Sequence, residues 1–585
     1  MKKSIIVLLF VCAVCFTLLA PIRDNDLFWH LATGKWIAEH KMLPETDPFS
    51  YTTSLKAQED FFRAKMILTQ YWLANLVQYG IFSFSGFYGI VALRVLIALL
   101  TLLTVLVHVR RKGIPALTGL LLLLPLAFVL GNYKGDRPNQ MSFLFFALFL
   151  FLCDTLKKGG KKGYLLPAVY ILWANVHGGF ILGGVIAILF IVSEMLRTTF
   201  DKEHLLDRKL VFVMALTFIA GFLNPNGYNA VYSMFFEVSK LHAASIGEHK
   251  TAFYFTHVGT YFYVWTLGLS LLLLIMYLAS RIFPGYSFRR DRIPALFDEF
   301  LILVALAALS VSAIRYIPFL VIALLPMAAP LFSGKFQEYV ERLSKYFIPE
   351  IILAAASVWM IAVSYNVTIF KNKPVSSYYP DDAVQFIKQR DIKGHFFNYY
   401  DWGGYLIWEF YPEKFVFIDG RALSLKTALA AEAVTLNAVE KVMDKPLYKA
   451  ILDSYSVRHI LIPAVNYLGD INYILKPLVD DPEWHLIFVG RNSLILTRDR
   501  IEPSYPKSLC YALAIANARQ VAAFSPNNPL PYLTFAKANV YLGGSANAIK
   551  GLEEALQLRP GLRGGSVEKA LNLLKAGKEI PVNMH

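Results

Sequence analysis

Long apolar runs separated by short polar stretches fill the first 366 residues, and the pattern changes character beyond them. The runs lie near 4–20, 81–107, 115–131, 140–156, 164–174, 180–196, 209–223, 262–280, 296–312, 317–332 and 348–366. Crossing a hydrocarbon core of about 30 Å takes roughly 20 apolar residues in a helix, so the pattern predicts about eleven transmembrane helices. The run 164–174 is short and must tilt or extend past its apparent ends. Between the first two runs lies a first outer loop, residues 22–80. Its opening, Asp24-Asn25-Asp26-Leu27-Phe28-Trp29-His30-Leu31, continues through Trp36 and Ile37 with apolar residues at helical spacing. That spacing predicts a helix lying along the membrane interface, anchored by Trp29 and Trp36, with two carboxylates at its start.

After residue 366 the runs shorten and alternate. Lys371-Asn372-Lys373-Pro374 reads as a linker. A helix near 380–390 is followed by strands at 395–400 and 415–418, with a Gly403-Gly404 turn between them. Asp419-Gly420-Arg421 ends the second of these strands. Further strand signals at 459–463 and 485–497 complete a small α/β domain over residues 367–500. Its glycines do not form a GxGxxG fingerprint, and no nucleotide is expected. From about 505 the pattern is helical. The stretch from Ala548 to Pro560 resembles the second half of a tetratricopeptide unit. One to two such repeats fall short of the three that a free-standing solenoid needs, so residues 501–585 are expected to pack on the α/β domain and to be able to bind a protein segment. The fold class is therefore membrane all-α over residues 1–366, with an outer-side α/β domain and a C-terminal helical segment.

Composition agrees with this division. Of 585 residues, 56% are hydrophobic and 17% charged. A soluble chain carries about 25% charge. The four cysteines, Cys12, Cys15, Cys153 and Cys510, are too few and scattered for a disulfide framework. The net charge of +15 could signal nucleic acid, anionic lipid or topology. Its placement decides. With a cytoplasmic N-terminus, the inner loops hold twenty basic residues, from Lys2 and Lys3 to Lys335, Arg342 and Lys345. The short outer loops hold Lys134, Arg137 and Arg315. Positive residues favour the inside, so the charge reports orientation and no nucleic-acid partner is expected. The first run fits a signal peptide, with Leu18-Leu19-Ala20 as a cleavage site, or an uncleaved anchor, the preferred reading because the run is longer than a usual signal core. Everything after about residue 367 is then expected outside a bacterial cytoplasmic membrane.

The chemically specific residues fall on the outer side: Asp24 and Asp26, Lys134 to Asn139, Trp173-Ala174-Asn175-Val176-His177-Gly178-Gly179, Asn224-Pro225-Asn226-Gly227, and Ile314-Arg315-Tyr316. A transporter would place such groups near the midplane between inverted repeats, and no such repeat is visible. A one-sided set points to a reaction at the outer leaflet. Nucleotide sugars are absent there, so a glycosyl donor must be carried by lipid. A site of that kind needs a carboxylate base, groups that stabilise a departing phosphate, and apolar walls. Asp24 or Asp26 supplies the base, and Arg137, Arg315, Lys134 or His177 the phosphate contacts. His30, Asn175, Asp419 and Arg421 are candidates for acceptor binding or support.

The acidic Asp24-Asn25-Asp26 motif after the first helix, the large first outer loop, the many-helix core and the outer C-terminal domain together resemble the GT-C superfamily of glycosyltransferases. That superfamily includes protein O-mannosyltransferases, aminoarabinose transferases acting on lipid A, and the catalytic subunits of oligosaccharyltransferases. The strings DNDLFWHLATGKWI, RPNQMSF, WANVHGGF, NPNG, IRYIPF and WGGYLIW…FIDGR are similar to a bacterial branch of GT-C-like membrane proteins, over residues 1–425. The resemblance implies an inverting transfer from a polyprenyl-phosphate sugar to a lipid, glycan or protein acceptor. It also implies that an acid of the first outer loop is the base, with Asp26 preferred over Asp24. Ser310-Val311-Ser312-Ala313 matches an oligosaccharyltransferase motif in its first three residues and lacks the following acid, which weakens the case for sequon recognition.

No cofactor is required by the sequence. Two carboxylates leave a divalent metal open without establishing one. Each residue also has a plainer role: Asp24 and Asp26 as helix caps, Arg137 and Arg315 as interfacial side chains, Asp419 and Arg421 as an ion pair. Arg94 either pairs with an acid or faces the donor. The rival functions are a non-catalytic membrane subunit that recruits partners through its tail, and a transporter of lipid-linked glycans.

Overall fold

The computed structural model describes residues 3–53, 61–133, 135–201, 203–233, 247–258, 260–282, 297–436, 441–442 and 444–579. The chain divides into two compact units. The first comprises Met1–Thr46, Glu59–Phe253 and Phe262–Ser376, and the second Asp47–Gln58, Tyr254–Tyr261 and Ser377–His585.

The first unit is helical. In chain order it contains α1 (Lys3–Leu18), α2 (Asp26–His40), α3 (Phe61–Thr69), α4 (Trp72–Arg110), α5 (Ala116–Asn132), α6 (Asn139–Lys157), α7 (Leu166–Val176), α8 (Phe180–Phe200), α9 (Arg208–Ala220) and α10 (Asn229–Tyr232). It continues with α11 (Phe262–Ile282), α12 (Phe297–Ser312), α13 (Ile317–Ala328), α14 (Lys335–Ser344) and α15 (Ile348–Tyr365). A helix lies at each of the eleven apolar runs. Six described helical segments are long and apolar enough to cross a bilayer by themselves, while α1 and α5 are apolar but shorter. This is a multi-pass membrane protein, and six such helices do not by themselves account for eleven crossings. Helix α7 has 11 residues, about 16 Å at 1.5 Å per residue, and cannot span alone. A 3₁₀ turn over Lys161–Leu165 precedes it.

Helix α4 runs for 39 residues and breaks at Gly86, whose φ of 60° lies in the left-handed region that glycine adopts freely. The part after the break coincides with the expected crossing, and the part before it packs against α2. The expectation that Trp29 anchors α2 in the membrane interface is corrected here. Leu27, Phe28, Leu31 and Ile37 are buried, Trp29 is 5% exposed and His30 2%. A helix covered on so many faces belongs to the interior of its unit. Trp36, half-buried, stacks on His40 with centroids 4.3 Å apart. Gly34 permits the close approach, since a Cβ there would sit 2.2 Å from the backbone oxygen of Asn75 on α4.

The basic connectors expected at the inner end are also more structured than the sequence implied. Lys112 and Lys158 pair with Asp154 at 2.8 and 2.9 Å. Lys157 pairs with the buried Asp298 at 2.6 Å, and Arg197 bonds the same carboxylate. Glu194 accepts from the backbone N–H of Asp207 at 2.9 Å, just before α9 begins.

The second unit is built on a mixed four-stranded sheet. Its strands are β1 (His395–Asn398), β4 (Val457–Pro463), β5 (His485–Val489) and β6 (Ser493–Thr497), and a separate ribbon pairs β2 (Lys441–Val442) with β3 (Lys445–Pro446). The sheet order is β1-β4-β6-β5, with β1 parallel to β4 and the other pairs antiparallel. Ile460, Ile462, Leu494, Leu496 and Trp484 fill its core. Two expectations are corrected. The Gly403-Gly404 segment opens a helix, Gly403–Phe410, rather than forming a turn between two strands. Residues 415–418 are extended but join no sheet, with Val416 bridging Ser50. Asn398 explains this: its side chain accepts from the N–H of Phe417 at 2.8 Å and donates to the carbonyl of Ile418 at 2.8 Å, so an amide stands in for a strand partner. Four helices end the unit, Leu509–Phe524, Leu530–Tyr541, Ser545–Leu558 and Ser566–Lys575, the last three sharing a core of Ala536, Ala548, Leu552 and Leu571.

The α2–α4 contact yields a direct comparison. Gly34→Ala is expected to destabilise the protein by about 1–3 kcal/mol, as overpacking of a tight contact does. Gly80→Ala, where an added Cβ meets nothing within 4 Å, is expected to be neutral or to gain up to about 1 kcal/mol of helix propensity. Thermal unfolding of the two variants in the same detergent measures the difference, and equal midpoints would refute the close approach.

Candidate active site

Asp24 and Asp26 flank the start of α2. The Oδ1 of Asp24 accepts from the N–H of Asp26 at 3.2 Å, so Asp24 does satisfy a helix-start donor. Its Oδ2 accepts from the N–H of Asp136 at 3.2 Å and lies 3.3 Å from Nε of Arg137. Asp26 receives the indole N–H of Trp29 on Oδ1 at 3.1 Å and Nη1 of Arg137 on Oδ2. The third nitrogen of the guanidinium, Nη2, bonds Glu248. Each nitrogen of Arg137 thus faces a different carboxylate, and three segments distant in sequence meet on one cation.

The charges in this group do not balance, with three carboxylates around one guanidinium. Burial opposes the Arg137 charge, but Asp24 and Asp26 outweigh it and its pKa rises. Burial pushes the Asp24 carboxyl up, more than Arg137 pulls it down, and Asp26 adds to the rise. Both directions have one cause: the two acids hold the guanidinium charged, while burial and the charge of Asp26 hold the Asp24 carboxyl above its ordinary range. Asp24 is 11% exposed at its side chain and Asp26 20%. Asp26 is the more open of the two.

His177 follows the last residue of α7. Its Nδ1 accepts from the N–H of Gly179 at 2.9 Å and lies 2.7 Å from Oγ of Ser142. Ser142 in turn accepts from the indole N–H of Trp173 at 2.7 Å, leaving its hydroxyl proton for His177. An Nδ1 that receives two donors carries no proton, which places the ring proton on Nε2. Burial first, then Arg315 and Arg137, lower the His177 pKa well below 6.5. His177 is a neutral Nε2–H donor.

Arg315 lies in the turn between α12 and α13, and its Nη1 donates to Nε2 of His249 at 2.7 Å. The adjacent Ile314 N–H donates to the carbonyl of Lys250 at 3.0 Å, which holds the 247–250 segment against this turn. Burial, then Arg315, Arg137 and Arg63, lower His249 to about 4. The same arginines act on His249, and two of them on His177, so these side chains share one cationic field. Arg63, Glu248 and His249 were not anticipated from the sequence. The polar string Glu248-His249-Lys250 inside a long aromatic loop was the available signal for two of them.

The other candidates divide. His30 is buried, with Nδ1 2.7 Å from Oδ1 of Asn75 and its ring edge-on to Tyr71. Asn175 accepts from Trp72 at 2.9 Å and donates to the carbonyls of Ile171 and Leu223, each at 2.8 Å. It ties α7 to its neighbours rather than presenting free polar atoms. Arg94 pairs with Asp136 at 2.9 Å and donates to the carbonyl of Ala20. Lys134 lies outside the described residues. Asp419 and Arg421 belong to the second unit. There Arg421 is buried between Asp419 at 2.7 Å and Asp47 at 2.8 Å and also reaches Ser50. That arrangement is an internal ion pair.

Beside Asn175 a cavity of about 800 Å³ opens in the first unit, lined by Ile37, Met42, Trp72, Leu76 and Phe222 among others. Its walls are mostly apolar. Among the described residues, no three His, Cys, Asp or Glu side chains are placed to hold a metal ion.

No family model matches the chain, and no curated protein does. Among solved structures, the oligosaccharyltransferase of Archaeoglobus fulgidus tethered with an acceptor peptide containing the NVT sequon superposes with a TM-score of 0.50 at 11% identity, over 96% of this chain and 87% of that one. The apo form of the Archaeoglobus fulgidus enzyme gives 0.49 at 10% identity, over 87% and 77%. ArnT from Cupriavidus metallidurans bound to undecaprenyl phosphate gives 0.40 at 13%, over 86% and 99%. At such identities the likeness to the peptide-tethered oligosaccharyltransferase is one of fold, and it agrees with the GT-C resemblance of the sequence.

Two measurements test this geometry. In the unfolded chain His249 titrates near 6.5 and in the folded one near 4. Between those values the unfolded state binds a proton that the folded state does not, so this contribution to stability is lost as pH falls from 6.5 towards 4. His249→Gln is expected to flatten that part of the stability–pH curve, and an unchanged slope would count against the buried neutral ring. Arg421→Ala leaves Asp419 and Asp47 buried without their partner and is expected to destabilise the protein by about 3–5 kcal/mol. Normal unfolding of that variant would reassign Arg421 to a functional role.

Proposed function

We propose that this chain, on its GT-C-type fold, is an integral-membrane glycosyltransferase that moves a sugar from a polyprenyl-phosphate donor to an acceptor on the outer face of a bacterial cytoplasmic membrane. The observation that carries this reading is the convergence of two loop carboxylates, two cationic arginines and a neutral histidine donor, in a unit that also holds an apolar cavity beside Asn175. The positive-inside distribution of the inner loops supports a cytoplasmic N-terminus and an outer site.

In this reading the prenyl chain lies in the apolar cavity and the phosphate is met by Arg315 and by the Nε2–H of His177. Arginine suits that contact because its planar fork matches phosphate oxygens. Asp26, the more open carboxylate, accepts the proton of the acceptor nucleophile. The nucleophile bonds the anomeric carbon, the carbon–oxygen bond to phosphate breaks on the opposite side, and polyprenyl phosphate leaves with inversion. Arg137, committed to carboxylates, orients Asp26 and leaves the phosphate to the other cations. Asp24 holds Arg137 and caps α2.

The experiment is complementation of a deletion strain, with its surface glycans read by mass spectrometry. Asp26→Asn is expected to reduce transfer by about 10²–10⁴-fold, the usual contribution of a general base. Asp24→Asn is expected to act more weakly, through Arg137. Full restoration of glycan by both single variants and by the double variant would reject the catalytic assignment and favour a non-catalytic subunit.

A further inference from the structure

Three carboxylates drawn from separate segments are an arrangement in which a divalent cation would be sought. Calcium or magnesium takes six or more oxygens that converge on one point at about 2.0–2.6 Å. Here the oxygens of Asp24, Asp26 and Glu248 converge on a planar group instead, one on each nitrogen of Arg137. Asp24 also accepts from the N–H groups of Asp26 and Asp136, and Asp26 from the indole of Trp29. Among the described residues the three acids are not placed as a metal-holding group. The donor set fits a guanidinium and does not fit a divalent ion while Arg137 stays in place.

We infer that Arg137 is the resident cation of this carboxylate site, and that the protein performs its reaction with no divalent metal bound there. The inference rests on the reading of this cluster as the transferase centre. The guanidinium supplies what a metal would otherwise supply at the acids: it neutralises their mutual repulsion and fixes their direction. It differs from a metal in offering no open coordination position, so the departing phosphate must be stabilised by side chains alone. That requirement matches the positive charge of Arg315, which donates to His249, and of Arg63, which also acts there.

Manganese binding tests this independently of activity. The full chain, purified in detergent, is titrated with Mn2+ and followed by electron paramagnetic resonance. The wild-type protein is expected to show no bound ion that depends on Asp26. Arg137→Met removes the guanidinium and frees three carboxylates, and is expected to raise Mn2+ affinity by about tenfold or more, the scale on which groups around a metal site act. Adding Glu248→Gln to that variant should abolish the gain. Transfer by the wild-type enzyme should be unchanged by a chelator. Wild-type Mn2+ binding that Asp26→Asn abolishes, a folded Arg137→Met protein with no gain in affinity, or transfer lost to chelator and restored by Mn2+ would each overturn the inference. If Arg137→Met does not fold, the wild-type titration against Asp26→Asn decides alone. If no transfer is detectable, the proposed function fails while Mn2+ binding still judges the role of Arg137.

Discussion

The guanidinium of Arg137 joins the loop after α1, the loop before α6 and the segment around residue 248, and the polar end of the helical unit depends on it. Holding three carboxylates this close, with Asp24 mostly buried, would be costly without a cation, because they repel one another and burial adds a desolvation penalty. One guanidinium reduces that repulsion without cancelling it. The remaining negative charge is visible in the raised Asp24 carboxyl. It also makes sense of the nearby Arg63 and Arg315, whose charge would be costly in a purely apolar setting. The site is a balance of opposite charges in which no single residue is neutral to the rest.

Helix ends explain how these groups come to the same place. Asp26 opens α2, Arg137 precedes α6, His177 closes α7 and Arg315 lies between α12 and α13. The backbone at such ends lacks its helical partners and needs polar groups nearby. A chain made of apolar helices therefore collects its chemically active side chains where the helices start and stop. His177 shows the arrangement at its tightest. The backbone of Gly179 and the Trp173–Ser142 pair together set its tautomer, so one local contact and two long-range contacts decide which nitrogen carries the proton.

Much of this was legible along the chain. Each apolar run falls on a helix, since a hydrocarbon environment leaves the backbone few alternatives to helix, although α4 begins at Trp72, well ahead of its run. Asp24, Asp26, Arg137, His177 and Arg315 stood out because charged and imidazole side chains at the edge of such runs are rarely filler. Glu248 and His249 did not, because a long loop with no periodicity gives no clue to where it folds back. The burial of α2 was also invisible. Its apolar spacing does not say what covers the helix, and the fit of Gly34 against Asn75 shows that α4 does. In the second unit, the stretch 415–418 has strand composition and lies extended, yet the side chain of Asn398 takes the place of a neighbouring strand.

The amino-acid sequence by itself determined a multi-helix membrane protein, the approximate limits of its helices, and the set of side chains held at their ends, because hydrophobic periodicity and the needs of the backbone in lipid are local properties. Only the tertiary structure decided how those side chains pair. Arg137 and Arg315 look alike in sequence, each an arginine beside an apolar run. In the fold one is bound on every nitrogen by acids, and the other bonds a neutral histidine. Asp419 and Arg421, conspicuous in sequence, are closed on each other and on Asp47. The physical reason is that the pairs of Arg137 with its three acids and of Arg421 with Asp47 depend on a distance of a few ångströms between residues a hundred or more positions apart, and no local pattern encodes that distance.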